Sequence, residues 1–117
     1  MDIKTLASSA KQASIEFAIK STEEKNNALQ EIAAAIKSNE EEILKANALD
    51  IEESEKNNLE APLLKRLKFD KSKLDGVIEG IESLISLPDP VNETLTSTEL
   101  DSGLELYKVS CPIGVIG

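Results

Sequence analysis

Residues 109–117 read "VSCPIGVIG". After Pro112, which cannot donate to a β-ladder, the chain runs through small and β-branched apolar residues, the composition of a buried strand that opens anew. Such a strand needs ladder partners and a covering layer, and a lone two-stranded hairpin beside it is marginal in water. Two origins for those partners follow. Either another chain provides them, or the polypeptide continues past Gly117 and provides them itself.

Working back from that stretch, "ETLTSTEL" (93–100), a turn at Asp101, Ser102 and Gly103, and "LELYKVS" (104–110) read as a β-hairpin rich in Thr, Leu, Val and Tyr. Alternation puts Leu104, Leu106 and Lys108 on one side, with Tyr107 and Val109 on the other. "LPDP" (87–90) ends a helical pattern, because two prolines in three residues cannot sit inside a continuing helix.

Upstream of "LPDP" the sequence is helical. Ile3, Leu6, Ala7, Ala10, Ala13, Phe17 and Ala18 recur at three- and four-residue steps and predict a helix over 3–20. Ser21 and Glu24 have the spacing of a capping box, with Ala28, Leu29, Ile32, Ala33 and Ile36 as the apolar stripe of the helix that follows. Asn39 and Glu42 repeat that start signal, and Glu40, Glu41 and Glu42 crowd the first turn of a third helix through Ile43, Leu44, Ala46, Leu49 and Ile51. In "EKNNLEAPLLKRLKF" (55–69), Asn57 and Asn58 suit a helix end and Pro62 suits a short helix start. Asp70 is placed to cap "KSKLDGVIEGIESLI" (71–85), whose Leu74, Val77, Ile78, Ile81, Leu84 and Ile85 share a face. Gly76 and Gly80 weaken that helix by up to about 1 kcal/mol each relative to Ala, which predicts close approach of a neighbouring backbone.

Composition narrows the function. With 22 acidic against 13 basic residues and a net charge of −9, the chain repels phosphate backbones and anionic lipid, so nucleic acid is not an expected partner. Aromatic residues make up 3%, leaving few anchors for a recognition surface and favouring a helical scaffold. Histidine is absent and Cys111 is the single cysteine, so there is no thiolate cluster for zinc and no intrachain disulfide, a composition that suits a reducing cytoplasm. No apolar run approaches the roughly 20 residues of a membrane span.

Other residues of types used in chemistry read as structure. Glu41/Glu42 and Glu52/Glu53 are adjacent pairs that diverge around a helix and fall at solvated phases. "GVIEG" lies inside a helix and lacks the strand-turn-helix setting of a phosphate loop. Arg66 follows Lys65 near a helix end and suits an ion pair there, and Asn47 and Asp50 suit hydrogen bonds to a helix end and its neighbouring loop. Cys111, with no base nearby and Pro112 next to it, reads as a buried or half-buried structural thiol.

Taken in order, "STEEKNNALQEIAAAI" (21–36), "KANALD" (45–50), "LLKRL" (63–67), "LPDPV" (87–91) and "CPIGVIG" (111–117) resemble the N-terminal region of the γ-glutamyl phosphate reductase (glutamate-5-semialdehyde dehydrogenase) family, within the aldehyde dehydrogenase superfamily. "PIGVIG" alone is widespread in that superfamily, and the combination is more specific. The resemblance implies an α/β parent fold of aldehyde-dehydrogenase type, of which this segment supplies helices, a hairpin and the opening strand of the cofactor-binding domain. It implies three parts: 1–92, the N-terminal helical part of the cofactor-binding domain; 93–110, the hairpin of an oligomerisation arm; and 111–117, the start of a cofactor-domain strand, truncated.

The resemblance also implies NADPH-dependent reduction of L-glutamyl 5-phosphate to L-glutamate 5-semialdehyde and phosphate, in proline biosynthesis, by a homo-oligomer. The family's nucleophile is a cysteine whose thiolate attacks the acyl phosphate. That cysteine lies far beyond residue 117, so no catalytic or metal-binding residue is expected in this chain. Cys111 does not inherit the role, and Ile116 and Gly117 are the residues nearest the cofactor. Asn58 and Asn92 stand where many relatives carry Gly, and both are expected to tolerate positive φ. Two other readings use the same unpaired strand: a free-standing helical interaction module that completes a partner's sheet, and a degenerate paralogue that occupies the reductase's oligomer interface.

Overall fold

A computed structural model of the chain describes residues 2–116. Five helices precede one hairpin: α1 (Ile3–Phe17), α2 (Thr22–Ser38), α3 (Glu40–Lys56), α4 (Ala61–Leu67), α5 (Lys71–Ser86), β1 (Thr94–Asp101) and β2 (Leu104–Val109). The chain divides into two units, one of Met1–Glu24 with Pro88–Gly117 and the other of Lys25–Leu87.

In the Lys25–Leu87 unit the helix starts differ according to backbone geometry. Asp70 is extended, with φ −101° and ψ 176°, and its carboxylate accepts from the Lys73 N–H at 3.2 Å, so the expected cap on α5 forms. Asn39 does not cap α3. Its φ of −103° and ψ of 15° lie outside the extended region that would bring its side chain under the next N–H groups. The side chain turns back instead, and Nδ2 donates to the Ala35 carbonyl at 2.7 Å, closing the end of α2. One residue therefore separates two 17-residue helices, with hydrogen bonds from the Asn39 N–H to Ala35 (3.2 Å) and from the Ile43 N–H to Asn39 (3.0 Å) running through the junction.

Asn58 ends the turn after α3 with φ 56°, and Asn92 has φ 64°, so both asparagines adopt the left-handed backbone anticipated for them. Pro62 lies in the first turn of α4, where its missing N–H leaves no bond unmade. Leu74 of α5 is fully buried and Ala33 of α2 is buried; no other apolar residue among those described is. Gly76 and Gly80 correct an expectation, since a Cβ built at either position meets nothing within 4 Å. That side of α5 is open, and Val77 and Leu84 beside the glycines are 41% and 53% exposed.

In the other unit, α1 buries none of its residues, and Ile3, Leu6, Ile15 and Phe17 are all exposed. The hairpin is antiparallel, pairing Thr96 with Lys108, Ser97 with Tyr107, Thr98 with Leu106 and Glu99 with Glu105. Register shifts at Thr94/Thr96 and Glu99/Asp101 leave Leu95 and Leu100 as the extra residues of two bulges. Every residue of both strands is exposed.

The expected strand over 111–117 is not formed among the described residues. Residues 111–116 have no ladder partner, and Gly117 lies outside the described residues. Ile113 is 90% exposed and Ile116 73%, so the cover that such a strand needs is not supplied by the described residues. Strand pairing is non-local, and the segment follows directly from β2 without a turn that would fold it back along either edge of the hairpin.

Leu74→Ala is expected to destabilise the Lys25–Leu87 unit by about 2–5 kcal/mol, and Val77→Ala by less than about 1 kcal/mol, read from urea midpoints. Equal effects of the two substitutions would contradict the assignment of Leu74 as the centre of that unit's core.

Candidate functional site

The hairpin is held at its base by Ser110. Its N–H donates to the Glu93 carbonyl at 3.0 Å, its carbonyl accepts from the Asn92 N–H at 3.0 Å, and its hydroxyl donates to the Pro90 carbonyl at 2.5 Å. The same hydroxyl accepts from the Glu93 N–H at 2.9 Å. Asp89 fixes the preceding turn, accepting from the Val91 N–H and from the Thr22 hydroxyl, each at 3.0 Å, which ties "LPDP" to the start of α2. Sequence reasoning found the turn but not these two clasps. The Pro-Asp-Pro pattern at 88–90 was the available signal, because an Asp between prolines is placed to receive a backbone N–H two residues on.

Beyond the clasp the hairpin presents Leu104, Leu106, Tyr107 and Val109, between 47% and 58% exposed. Glu99 lies opposite Glu105, a like-charge cross-strand pair that is destabilising on its own, and the Tyr107 hydroxyl donates to Glu105. A two-stranded ribbon with open edges and apolar side chains on both faces has the character of an association surface.

Cys111 follows this hairpin and is free and exposed, which corrects the expectation of a buried or half-buried thiol. Burial there would require a layer over 111–116, and none is present. Residues 110–116 carry no charged side chain, so this segment has nothing to neutralise the phosphates of a dinucleotide. Ile116 is 73% exposed, and no reaction step is assigned to the described residues. Among the described residues no three His, Cys, Asp or Glu side chains are grouped to hold a metal ion, and no helix is long and apolar enough to cross a membrane.

The remaining polar residues set the geometry of the helices. Ser21 and Glu24 form the anticipated reciprocal box: the Ser21 N–H donates to the Glu24 carboxylate at 2.9 Å, and the Glu24 N–H donates to the Ser21 hydroxyl at 3.2 Å. The Ser21 amide first, then Lys20 at 2.9 Å and the Ser21 hydroxyl, hold the Glu24 carboxyl at about 2, below its ordinary 4.5. Lys71 bridges helix starts, reaching Glu40 at 2.8 Å and Asp75 at 3.5 Å, and the hydrogen bond to Glu40 is the main cause that raises its pKa.

Asn47 acts as a side-chain clamp. Its Nδ2 donates to the Leu67 carbonyl at 3.0 Å and its Oδ1 accepts from the Phe69 N–H at 2.7 Å, so α3 pins the link between α4 and α5. This bears out the structural reading of Asn47, whereas Asp50 is exposed and takes no part. Arg66 lies in the last turn of α4, where the helix dipole favours a cation, but it forms no ion pair among the described residues. Glu41, Glu42, Glu52 and Glu53 are all exposed, as their phases required. A groove of about 340 Å³ lies beside the clamp, lined by Leu44, Ala48, Ile51 and Phe69. Another of about 220 Å³ lies between α2 and α5, with Lys37 and Glu82 on its rim. Neither brings together a nucleophile and a base.

Comparison with known proteins carries the assignment further. The γ-glutamyl phosphate reductase of Pelotomaculum thermopropionicum is 61% identical over 117 residues, 100% of this chain and 27% of that protein. This chain corresponds to the N-terminal segment of the γ-glutamyl phosphate reductases. The reductase of Ruminiclostridium cellulolyticum is 55% identical over the same span. The crystal structure of the Thermotoga maritima reductase superposes with a TM-score of 0.87 at 32% identity, covering 92% of this chain and 26% of that one. The Saccharomyces cerevisiae reductase gives 0.85 at 34% identity, covering 92% and 28%. No family model matches the chain. The chain spans about a quarter of the length of the curated relatives it matches. The five helices and antiparallel hairpin are thus an α/β segment of the reductase fold.

Two outcomes test this geometry. Because the folded pKa of Glu24 is depressed, the stabilisation it gives is full above about 4.5 and is lost as pH falls toward about 2. Amide exchange at the start of α2 is therefore expected to accelerate across that window and to lose its pH dependence in Glu24→Gln, apart from the intrinsic exchange chemistry. Asn47→Ala leaves the Leu67 carbonyl and the Phe69 N–H unpaired and is expected to cost about 1–3 kcal/mol, with loss of exchange protection at Phe69; unchanged protection there would contradict the clamp.

Proposed function

We propose that the chain serves as the N-terminal part of an NADPH-dependent reductase that converts L-glutamyl 5-phosphate to L-glutamate 5-semialdehyde and phosphate in proline biosynthesis. The observation that carries this reading is 61% identity to a γ-glutamyl phosphate reductase across all 117 residues. The helical residues 1–92 then belong to the cofactor-binding domain, the hairpin 93–110 to an arm that joins subunits of a homo-oligomer, and residues 111–117 to a strand that leads toward the dinucleotide. The enzyme works in the cytoplasm, with NADPH as hydride donor.

Within that assembly this segment supplies scaffold. Its own groups hold helices and hairpin in place, and the reacting groups come from the rest of the reductase. The exposed hairpin and the uncovered faces of α1 and α5 support the same reading, because each is an apolar surface that association or the remaining polypeptide would cover. A free-standing module that completes another protein's sheet is less well supported, since that role calls for an open edge and not for identity to reductases along every helix.

Residues 1–117, grafted in place of the matching segment of the Pelotomaculum thermopropionicum reductase, are expected to sustain NADP reduction that depends on L-glutamate 5-semialdehyde and phosphate. Activity within about tenfold of the parent, a barrier change of about 1.4 kcal/mol, is the expected result. The 117-residue chain alone is expected to give no turnover. A folded chimera without activity, or turnover by the segment alone, would contradict the proposal.

A further inference from the structure

We draw no further inference here: the strongest candidate, the open face of α5 where Gly76 and Gly80 meet nothing within 4 Å beside the exposed Val77 and Leu84, is an unpartnered small-residue and apolar surface, and nothing in the structure shows what covers it.

Discussion

Burial is the constraint on which the rest of the structure depends. Folding must recover conformational entropy of about 1–2 kcal/mol per ordered residue, and apolar burial is the main compensation. Here the described apolar residues that are truly buried are Leu74 and Ala33. Helices α1 and α5, both hairpin faces and residues 113–116 keep large apolar side chains in water. These elements are well specified locally, yet they lack the opposing layer that would make them a domain.

What holds them is a set of short-range polar ties. The Ser21/Glu24 box, the Asp70 cap, the Asn39 return to Ala35, the Asn47 clamp and the Ser110 and Asp89 clasps each join neighbouring elements and satisfy backbone groups that helix ends or strand ends would leave unmade. None of them brings a nucleophile to a base. Such ties fix the ends of individual helices and the base of the hairpin, each within its own unit.

The features legible in the sequence were those decided within a few residues. Ser21 and Glu24 stand three apart, Asp70 precedes a clean apolar stripe, Pro62 marks a first turn, and Asn58 and Asn92 take the positive φ that asparagine tolerates. Features that depend on distant partners were read less well. Gly76 and Gly80 suggested a neighbouring backbone that the described residues do not provide, and Cys111 was read as buried or half-buried but lies exposed. Asn39 was misread for a subtler reason, since its spacing to Glu42 is right and only its backbone angles decide which helix its side chain serves. For the candidate site, the absence of histidine and the single cysteine turned attention away from chemistry within these residues, and the resemblance carried over "KANALD", "LPDPV" and "CPIGVIG" named the family that the comparisons support.

Calorimetry of the isolated chain, with its monomeric mass established by sedimentation, tests the burial deficit most directly. A compact domain of 117 residues unfolds with a heat-capacity increment of about 1.4–1.8 kcal/mol/K, because that quantity follows the apolar surface newly exposed. An increment below about half of that range, or no cooperative transition at all, is the expected result. A monomer that unfolds in one cooperative step with the full increment would contradict the claim that these residues leave their apolar faces uncovered.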